Sequence, residues 1–325
     1  MQQTYVPPDF SKAPVPPAIT FKGSGGDYFG IVIVNLLLTI ITLGLYYPWA
    51  KAKQLQYLYG NTEMEGSRFA FNGTGNEMFK GFIKAFIFMI VLYGIAATLL
   101  MNRMIGSAIL VFYLGILAIL PLAIHGAYRY RFSRTSWRGI RFGYRGNRKE
   151  FIFLFFTNLF LTIVTFGIYG AWMQINLRNY LLTNIRFGSA QFEYKGDGWA
   201  YFKLNIVGYL LTIITLGIYM FWWQADIFRY YIDNLKLNHE GKAYSLRSTA
   251  TGGDFFKLIF VNLLLFIFTL GIGYSWIVTR TLTFVFNHVE ITGDINLNAL
   301  AQTEEEYKDA TGEDMADFLD LGFVI

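Results

Sequence analysis

The stretch LLLTIITLGLYYPWAKAKQLQYLYGN, residues 36–61, determines how the chain is built, because most of its pattern occurs four times. In each copy a threonine lies two residues before a glycine, a tryptophan five residues after it and an aromatic residue thirteen after it. Self-similarity of this kind indicates one structural unit used repeatedly. The glycines are Gly44, Gly167, Gly217 and Gly271, and the tryptophans are Trp49, Trp172, Trp222 and Trp276.

A short glycine-containing phrase introduces each unit, and it occurs five times. Its glycines permit positive φ and predict a turn, and the alternating residues before it predict a short strand. We therefore predict five pseudo-repeats, each made of a turn, an apolar helix, a glycine bend, an amphipathic helix and a short strand. The phrases are FKGSGGDYF at 21–29, FNGTGNEMF at 71–79, YRGNRKEFI at 144–152, YKGDGWAYF at 194–202 and TATGGDFF at 249–256. The repeats are predicted at about 21–73, 74–146, 145–196, 195–251 and 249–298.

Composition predicts that the chain is embedded in a membrane. It is 54% hydrophobic and 15% charged, whereas soluble proteins have about a quarter of their residues charged. Six runs without Asp, Glu, Lys or Arg meet or approach the roughly 20 residues that span a bilayer core. The predicted fold class is an α-helical polytopic membrane protein whose short cytoplasmic strands form a small sheet. The runs are 28–50, 85–102, 104–128, 151–177, 204–225 and 258–279.

The two ends of the chain differ from its apolar middle. Residues 1–20 are polar, include five prolines and predict a disordered tail without a cleavable signal peptide. Residues 21–298 are predicted to form one membrane domain. Residues 299–325 form an acidic tail, in which 304–320 contain eight acidic residues. The absence of cysteine excludes disulfides and thiolate metal sites, and no cofactor is expected.

A basic cluster predicts orientation and partners. Between residues 129 and 149 no acidic residue interrupts the arginines, and such clusters lie on the cytoplasmic side of membrane proteins. This charge favours anionic membrane lipids as partners over nucleic acid; the sequence leaves a homo-oligomer or another membrane partner open. The orientation cluster consists of Arg129, Arg131, Arg134, Arg138, Arg141 and Arg145.

Two crossing patterns fit these runs. If each run crosses once, the strand near Ser189 lies outside the cell while its copy near Ser67 lies inside. If each unit crosses an even number of times, with the glycine bend on the far side, all strands meet on one face. The second pattern keeps homologous strands together and is favoured, although it brings charged residues into or near the membrane.

Three of the units carry phrases that resemble a known family. LLLTIITLGLYYPW at 36–49, NLFLTIVTFGIYGAW at 158–172 and YLLTIITLGIYMFW at 209–222, with their F-x-F-x-G strands, resemble the YjgN-like bacterial inner-membrane proteins. The resemblance covers about residues 21–298. It implies a multi-pass protein of the inner membrane that carries a domain of unknown function, and it supplies no catalytic residues.

Charged and amide residues within or beside the apolar runs are the candidate functional residues. Asp226 and Arg229 are three apart on a helix and can pair, which inside a membrane marks a solute or proton path, although both also suit a headgroup region. Three aligned asparagines would line a cavity or hydrogen-bond between helices, and helix pairing is favoured. The candidates are Asp226, Arg229, Arg178, Arg280, Lys53, Asn35, Asn158 and Asn262.

Three function classes follow from this pattern. The first is a transporter or channel-like protein with a polar cavity between repeats, since membrane repeats build such paths. The alternative is a lipid-organising or scaffold protein, favoured by the basic cluster and by tryptophans acting as interface anchors. A membrane-embedded enzyme comes third, because the sequence shows no convergent acid–base or metal set. The repeated glycines are interpreted as structural bends in all three classes.

Overall fold

The computed structural model describes residues 19–293 and 297–303, and in them the chain forms five units with the order strand, helix, helix, strand. The first unit holds β1 (Ile19–Phe21), α1 (Gly25–Ile41), α2 (Tyr47–Gly60) and β2 (Thr62–Met64). The second holds β3 (Ser67–Phe71), α3 (Gly75–Met101), α4 (Ile105–Ser133) and β4 (Thr135–Trp137). The third holds β5 (Ile140–Tyr144), α5 (Arg148–Val164), α6 (Gly170–Thr183) and β6 (Ile185–Phe187). The fourth holds β7 (Ala190–Tyr194), α7 (Gly198–Ile214), α8 (Met220–Asp233) and β8 (Leu235–His239). The fifth holds β9 (Lys242–Ser248), α9 (Gly252–Phe268), α10 (Tyr274–Asn287) and β10 (Val289–Gly293).

Tight turns join consecutive units. Three of these connections place a charged residue and then a glycine at positive φ, at Glu65–Gly66, Arg138–Gly139 and Glu240–Gly241. Two consecutive positive φ values are those of the type I′ turn, whose twist matches that of antiparallel strands. Each unit is therefore locked to the next by a β-hairpin.

The strands form one antiparallel sheet in chain order, from β1 to β10. Each strand pairs with the other strand of its own unit, and every strand except β1 and β10 at the edges also pairs with the nearest strand of the adjacent unit; Phe142, for example, lies opposite Phe187 within the third unit. Ile19 of β1 and Ile291 of β10 pack against the same core cluster, so the sheet is rolled around that core. The cluster also includes Trp137 and, from the segment after β10, Leu297 and Leu300.

The helices pack in chain order as well, and α10 contacts α1, which closes them into a ring. In four units the repeated tryptophan packs on the glycine that begins the next unit's first helix. A Cβ on any of these glycines would collide with the indole, so glycine is required by close approach. The pairs are Trp49 with Gly75, Trp172 with Gly198, Trp222 with Gly252 and, across the closure, Trp276 with Gly25.

The threonine of the repeated motif organises the bend between the two helices of a unit. In the first unit the Thr42 hydroxyl donates to the Leu38 carbonyl and accepts from the Tyr46 N–H. It therefore caps the end of α1 and the start of α2 together. Gly44 follows with φ of 92°, a conformation that glycine adopts without strain. The same arrangement recurs at Thr165, Thr215 and Thr269, with Gly167, Gly217 and Gly271 at positive φ.

The predicted fold class, a polytopic helical membrane protein with a small sheet, is wrong. The sheet has ten strands and runs through the whole described chain. Only α3 and α4 among the described helices are long and apolar enough to cross a membrane. The glycine bends are the reason, because they cut the long apolar runs into helices of 17 and 14 residues. Each unit also contributes two strands, whereas one was predicted.

The predicted tails lie mostly beyond the described part of the chain. Residues 1–18 of the predicted N-terminal tail and residues 304–325 of the acidic tail are outside it. Ala301 and Gln302, which the structure describes, form hydrogen bonds with the third unit and with the turn that follows it. The Ala301 carbonyl accepts from the Ser189 N–H, and the Gln302 side chain accepts from the Arg141 N–H.

Candidate functional site

The three aligned asparagines each bind within their own unit. Asn35 Nδ2 donates to the Ala50 carbonyl, Asn158 Oδ1 accepts from Asn176, and Asn262 Nδ2 donates to the Thr281 hydroxyl. All three join the first helix of a unit to the second. The described structure therefore does not gather them in one cavity, and their geometry is that of interhelical hydrogen bonds.

The charged candidates are also distributed around the ring. Asp226 and Arg229 form an ion pair of 3.0 Å at a half-exposed position. Lys53 Nζ donates to the Tyr46 hydroxyl. The Arg178 guanidinium lies 3.9 Å from the centre of the Tyr231 ring. These groups belong to different units, so no single polar cavity collects them within the described residues.

The orientation cluster lies at the sheet end of the ring. Arg129 and Arg131 are in the last turns of α4, and Arg141 is in β5. Arg134 binds both oxygens of Glu77, and Arg138 binds Glu65. Arg145 donates its N–H to the Asn184 carbonyl. Part of the cluster thus stabilises the junction between helices and sheet.

Two candidates line cavities in the described part of the chain: Asp226 lines one of about 250 Å³ beside Gly208 and Trp223, and Arg280 lines a larger one. The larger cavity has a volume of about 500 Å³ and lies between α9, α10 and the beginning of the first unit. We call it the seam cleft, because it lies where the last unit meets the first. Its lining is Gly23, Asp254, Lys257, Leu258, Leu265, Trp276, Thr279, Arg280, Thr283, Phe284, Asn287 and His288.

The seam cleft exists because the fifth unit lacks a polar link that other units have. A side chain twelve residues after the repeated glycine reaches the backbone just before the next unit's first helix. Gln56 donates to the Gly73 carbonyl, Asn179 to that of Gly196 and Arg229 to that of Ala250. In the fifth unit this position is Thr283, which instead donates to Thr279 within its own helix. Its side chain is too short to reach across the closure, and space remains.

A second substitution widens the same region. Tyr57, Tyr180 and Tyr230 each donate their hydroxyl to the backbone carbonyl of the residue that caps the first helix of their own unit. The equivalent residue of the fifth unit is Phe284, which has no hydroxyl and packs edge-on against Phe255. This hydroxyl link between α10 and the start of α9 is therefore absent at the seam cleft, where His288 Nε2 lies 3.8 Å from Asp254 Oδ2 instead.

The seam cleft has basic side chains toward one end and apolar side chains toward the other. Lys257 and His288 lie toward the sheet end, and Leu265 and Trp276 lie toward the bend. Arg280 lies between them, and its Nε is buried without an acceptor among the described residues. The arrangement can bind a molecule with an anionic group and an apolar portion, because buried charge requires an ionic or hydrogen-bonding partner.

One acidic residue shares the sheet end of the cleft. Hydrogen bonds from Thr251 hold the pKa of Asp254 below its ordinary value, and His288 and Lys257 lower it further. Asp254 is the first-turn residue of a capping box at the start of α9. The Asp254 carboxylate therefore takes part in the helix cap. Lys257 and Arg280 remain as the basic groups of the cleft.

Arg280 was predicted from the sequence, but the seam cleft was not. The signal was present in the repeat alignment, as Thr283 and Phe284 at positions where the other units have longer or hydroxylated side chains. His288 caps α10, and its Nδ1 lies 2.8 Å from the Phe284 carbonyl. The residues that make the equivalent contact in the first, third and fourth units are Asn61, Asn184 and Asn234.

The helices form a ring of hairpins with exposed apolar side chains, and two of them, α3 and α4, are long and apolar enough to cross a bilayer, as expected of a membrane protein. The chain belongs to the family described as bacterial protein of unknown function (DUF898), whose model matches residues 16–197, 189–245 and 241–318. The YjgN-like resemblance is thereby confirmed. No solved structure matches the chain.

Relatives from enteric bacteria support the inner membrane as its location. The chain is 38% identical over 133 residues to the inner membrane protein YjgN of Escherichia coli O157:H7, covering 41% of this chain and 32% of the relative. It is 35% identical over 127 residues to the YjgN of Salmonella typhimurium LT2, covering 39% of this chain and 31% of the relative. The matched part thus spans about a third of the relatives' length.

Proposed function

We propose that the protein is a lipid-binding membrane protein that holds an anionic phospholipid in the seam cleft. The observation that carries the proposal is Arg280, a half-buried side chain whose buried Nε has no acceptor among the described residues, in a cavity whose wall toward the bend is apolar at Leu265 and Trp276. Lys257 and Arg280 would bind the phosphate, and the walls near Leu265 and Trp276 would contact an acyl chain. Basic residues near a bilayer surface attract anionic headgroups by about 1 kcal/mol each.

The position of the seam cleft supports a lipid over a water-soluble anion. Exposed apolar side chains cover the neighbouring face of α9, including Leu263 and Phe266. A lipid that leaves the bilayer laterally would pass such a face without crossing water. The protein would then be a lipid-organising component of the membrane. The fifth unit would supply most of the lipid site, and the other four units would form the scaffold.

Transport of a polar solute has less support from the geometry. The polar candidates are divided among the units, and the sheet end of the ring is filled by a core that includes Trp137, Phe142 and Phe187. A solute moving along the ring axis would have to displace that core. Solute uptake by proteoliposomes that contain the purified protein, above the leak of empty liposomes, would favour transport over this proposal.

Replacing both basic residues of the cleft is expected to release the lipid. The double variant Lys257→Gln/Arg280→Gln should retain at least tenfold less phosphatidylglycerol after purification, because about 2 kcal/mol of headgroup attraction is lost and 1.4 kcal/mol corresponds to a factor of ten. Retained lipid is measured by extraction and mass spectrometry, with phosphatidylcholine as the uncharged competitor.

The repeat supplies a matched control. Lys80 and Lys53 occupy in the second and first units the positions that Lys257 and Arg280 occupy in the fifth, and neither lines the seam cleft. Lys53→Gln/Lys80→Gln makes the same charge change and should retain lipid as the unaltered protein does. Equal retention by both double variants would refute the site. Displacement by inorganic phosphate alone would identify the ligand as an anion without an acyl chain.

A further inference from the structure

The bends of the four short helical hairpins expose large apolar side chains. At each bend the residue before the repeated glycine is 91–98% exposed and has a positive φ of 50–52°. Positive φ is unusual for residues other than glycine, asparagine and aspartate. We call these residues the hairpin tips; they are Leu43, Phe166, Leu216 and Leu270. Four copies of a large apolar residue that is almost fully exposed require an explanation that a water-facing turn does not provide.

The backbone N–H groups of each bend are paired within the chain. In the first unit, the N–H groups of Leu43, Gly44 and Leu45 donate to carbonyls within the bend or the end of α1. The Tyr46 N–H donates to the Thr42 hydroxyl, and the Tyr47 N–H to the Gly44 carbonyl. The bend of the third unit repeats this set of bonds. Internal pairing of these donors suits a backbone in hydrocarbon, where no water can replace a missing partner.

The bend of the second unit is polar where the other four are apolar. Its hairpin, α3 and α4, turns at Asn102 and Arg103, and Arg103 is exposed at the position of a hairpin tip. Both α3 and α1 begin at the sheet end of the ring. Because α3 has 27 residues and α1 has 17, the charged turn lies roughly 15 Å farther from the sheet, at 1.5 Å per residue.

We infer that the four short hairpins end inside the hydrocarbon core of the bilayer, around the single hairpin, α3–α4, that crosses it. The partner of the hairpin tips is the acyl-chain region of the membrane. No Asp, Glu, Lys or Arg lies between residues 28 and 50 or 258 and 279, so these bends carry nothing that could anchor them in the far headgroup layer. Arg103 provides such an anchor for α3–α4.

This arrangement places the whole sheet on one side of the membrane. Each short hairpin enters and leaves the same leaflet, and α3–α4 crosses twice, so every strand returns to the side from which it started. This arrangement lets the homologous strands meet in one sheet. Arg103 is the one charged residue that it requires at the far surface. The inference does not depend on a lipid in the seam cleft.

Single cysteines test the depth of the tips directly, because the chain has no cysteine of its own. The variants are Leu216→Cys at a hairpin tip, Arg103→Cys at the long turn and Glu240→Cys in the β8–β9 turn. Each is treated with a membrane-impermeant maleimide in sealed right-side-out and inverted vesicles. Arg103→Cys should react in one orientation and Glu240→Cys in the other. Leu216→Cys should react in neither and should react fully after unfolding in detergent.

Each labelling result for Leu216→Cys distinguishes between possible positions of the hairpin tip. Reaction of Leu216→Cys from the same side as Arg103→Cys would overturn the inference, because the short hairpin would then cross the bilayer. Reaction from the side of Glu240→Cys would also overturn it, because the tip would lie in water beside the sheet. Leu43→Cys, at the equivalent tip of the first unit, repeats the test if the Leu216 variant does not accumulate.

Discussion

Replacing Glu77 by alanine is expected to lower the free energy of unfolding by about 2–3 kcal/mol, because it removes one member of a largely buried ion pair. Glu77 accepts two hydrogen bonds from Arg134 and one from Tyr130. The Arg134 side chain is 11% exposed and that of Glu77 is 31% exposed, so water can replace the lost carboxylate only in part. Glu77 also completes the capping box with Thr74 at the start of α3. The expected readout is a lower midpoint of thermal unfolding in detergent.

The adjacent unit boundary offers a control with the same residue types. Glu65 and Arg138 form an ion pair of 3.1 Å, close to the 3.0 Å of Glu77 and Arg134, but both side chains are about a third exposed. Exposed pairs contribute about 0–1 kcal/mol. Glu65→Ala should therefore change the unfolding midpoint little. If the two variants lose the same stability, burial is not what makes the Glu77 pair important.

The local parts of the fold could be predicted from the sequence because their causes are local. The bend at Thr42 and Gly44 needs one hydroxyl and one glycine at fixed spacing, and the motif displays both. The strands with alternating aromatics, such as β5, are also visible in the sequence. Among the strands that the sequence did not show, β1, β2, β4 and β6 have three residues each. A segment that short has no readable period.

The long apolar runs were misinterpreted for a related reason. Composition records how many residues avoid water, but a bend does not change composition. The run from 28 to 50 holds most of α1, the bend and the start of α2, so its 23 residues are two elements and not one span. The hairpin of the second unit lacks the threonine–glycine motif, and there the helices α3 and α4 reach membrane length.

The candidate site depended on comparison between units more than on any single residue. Arg280 could be named because charge inside an apolar run is conspicuous. The cavity around Arg280 could not be predicted, because it results from contacts that Thr283 and Phe284 do not make. Ring closure was also invisible, since Gly25 and Trp276 lie at opposite ends of the chain and neither is unusual by itself. Once the units are superimposed, the same glycine–tryptophan pairing predicts that contact.

Replacing Gly25 by alanine is expected to destabilise the protein by about 1–3 kcal/mol, the usual cost of overpacking. A Cβ at this position collides with the Trp276 indole, and something must shift. The neighbouring Gly26 is in the same helical turn and has open space where a Cβ would be placed. Gly26→Ala should therefore be neutral or slightly stabilising, because alanine favours a helix over glycine by roughly 0.5–1 kcal/mol. Thermal unfolding of both variants in detergent measures the difference.

The comparison with an internal contact shows whether the ring acts as a whole. Gly198→Ala introduces the same collision with Trp172, between units that the chain itself joins. If closure is part of one cooperative structure, Gly25→Ala should lower the unfolding midpoint about as much as Gly198→Ala. It should also reduce phosphatidylglycerol retention more, because Trp276 lines the seam cleft and Trp172 does not. A Gly25→Ala variant as stable as the unaltered protein would mean that the contact between Trp276 and Gly25 does not hold the first and last units together.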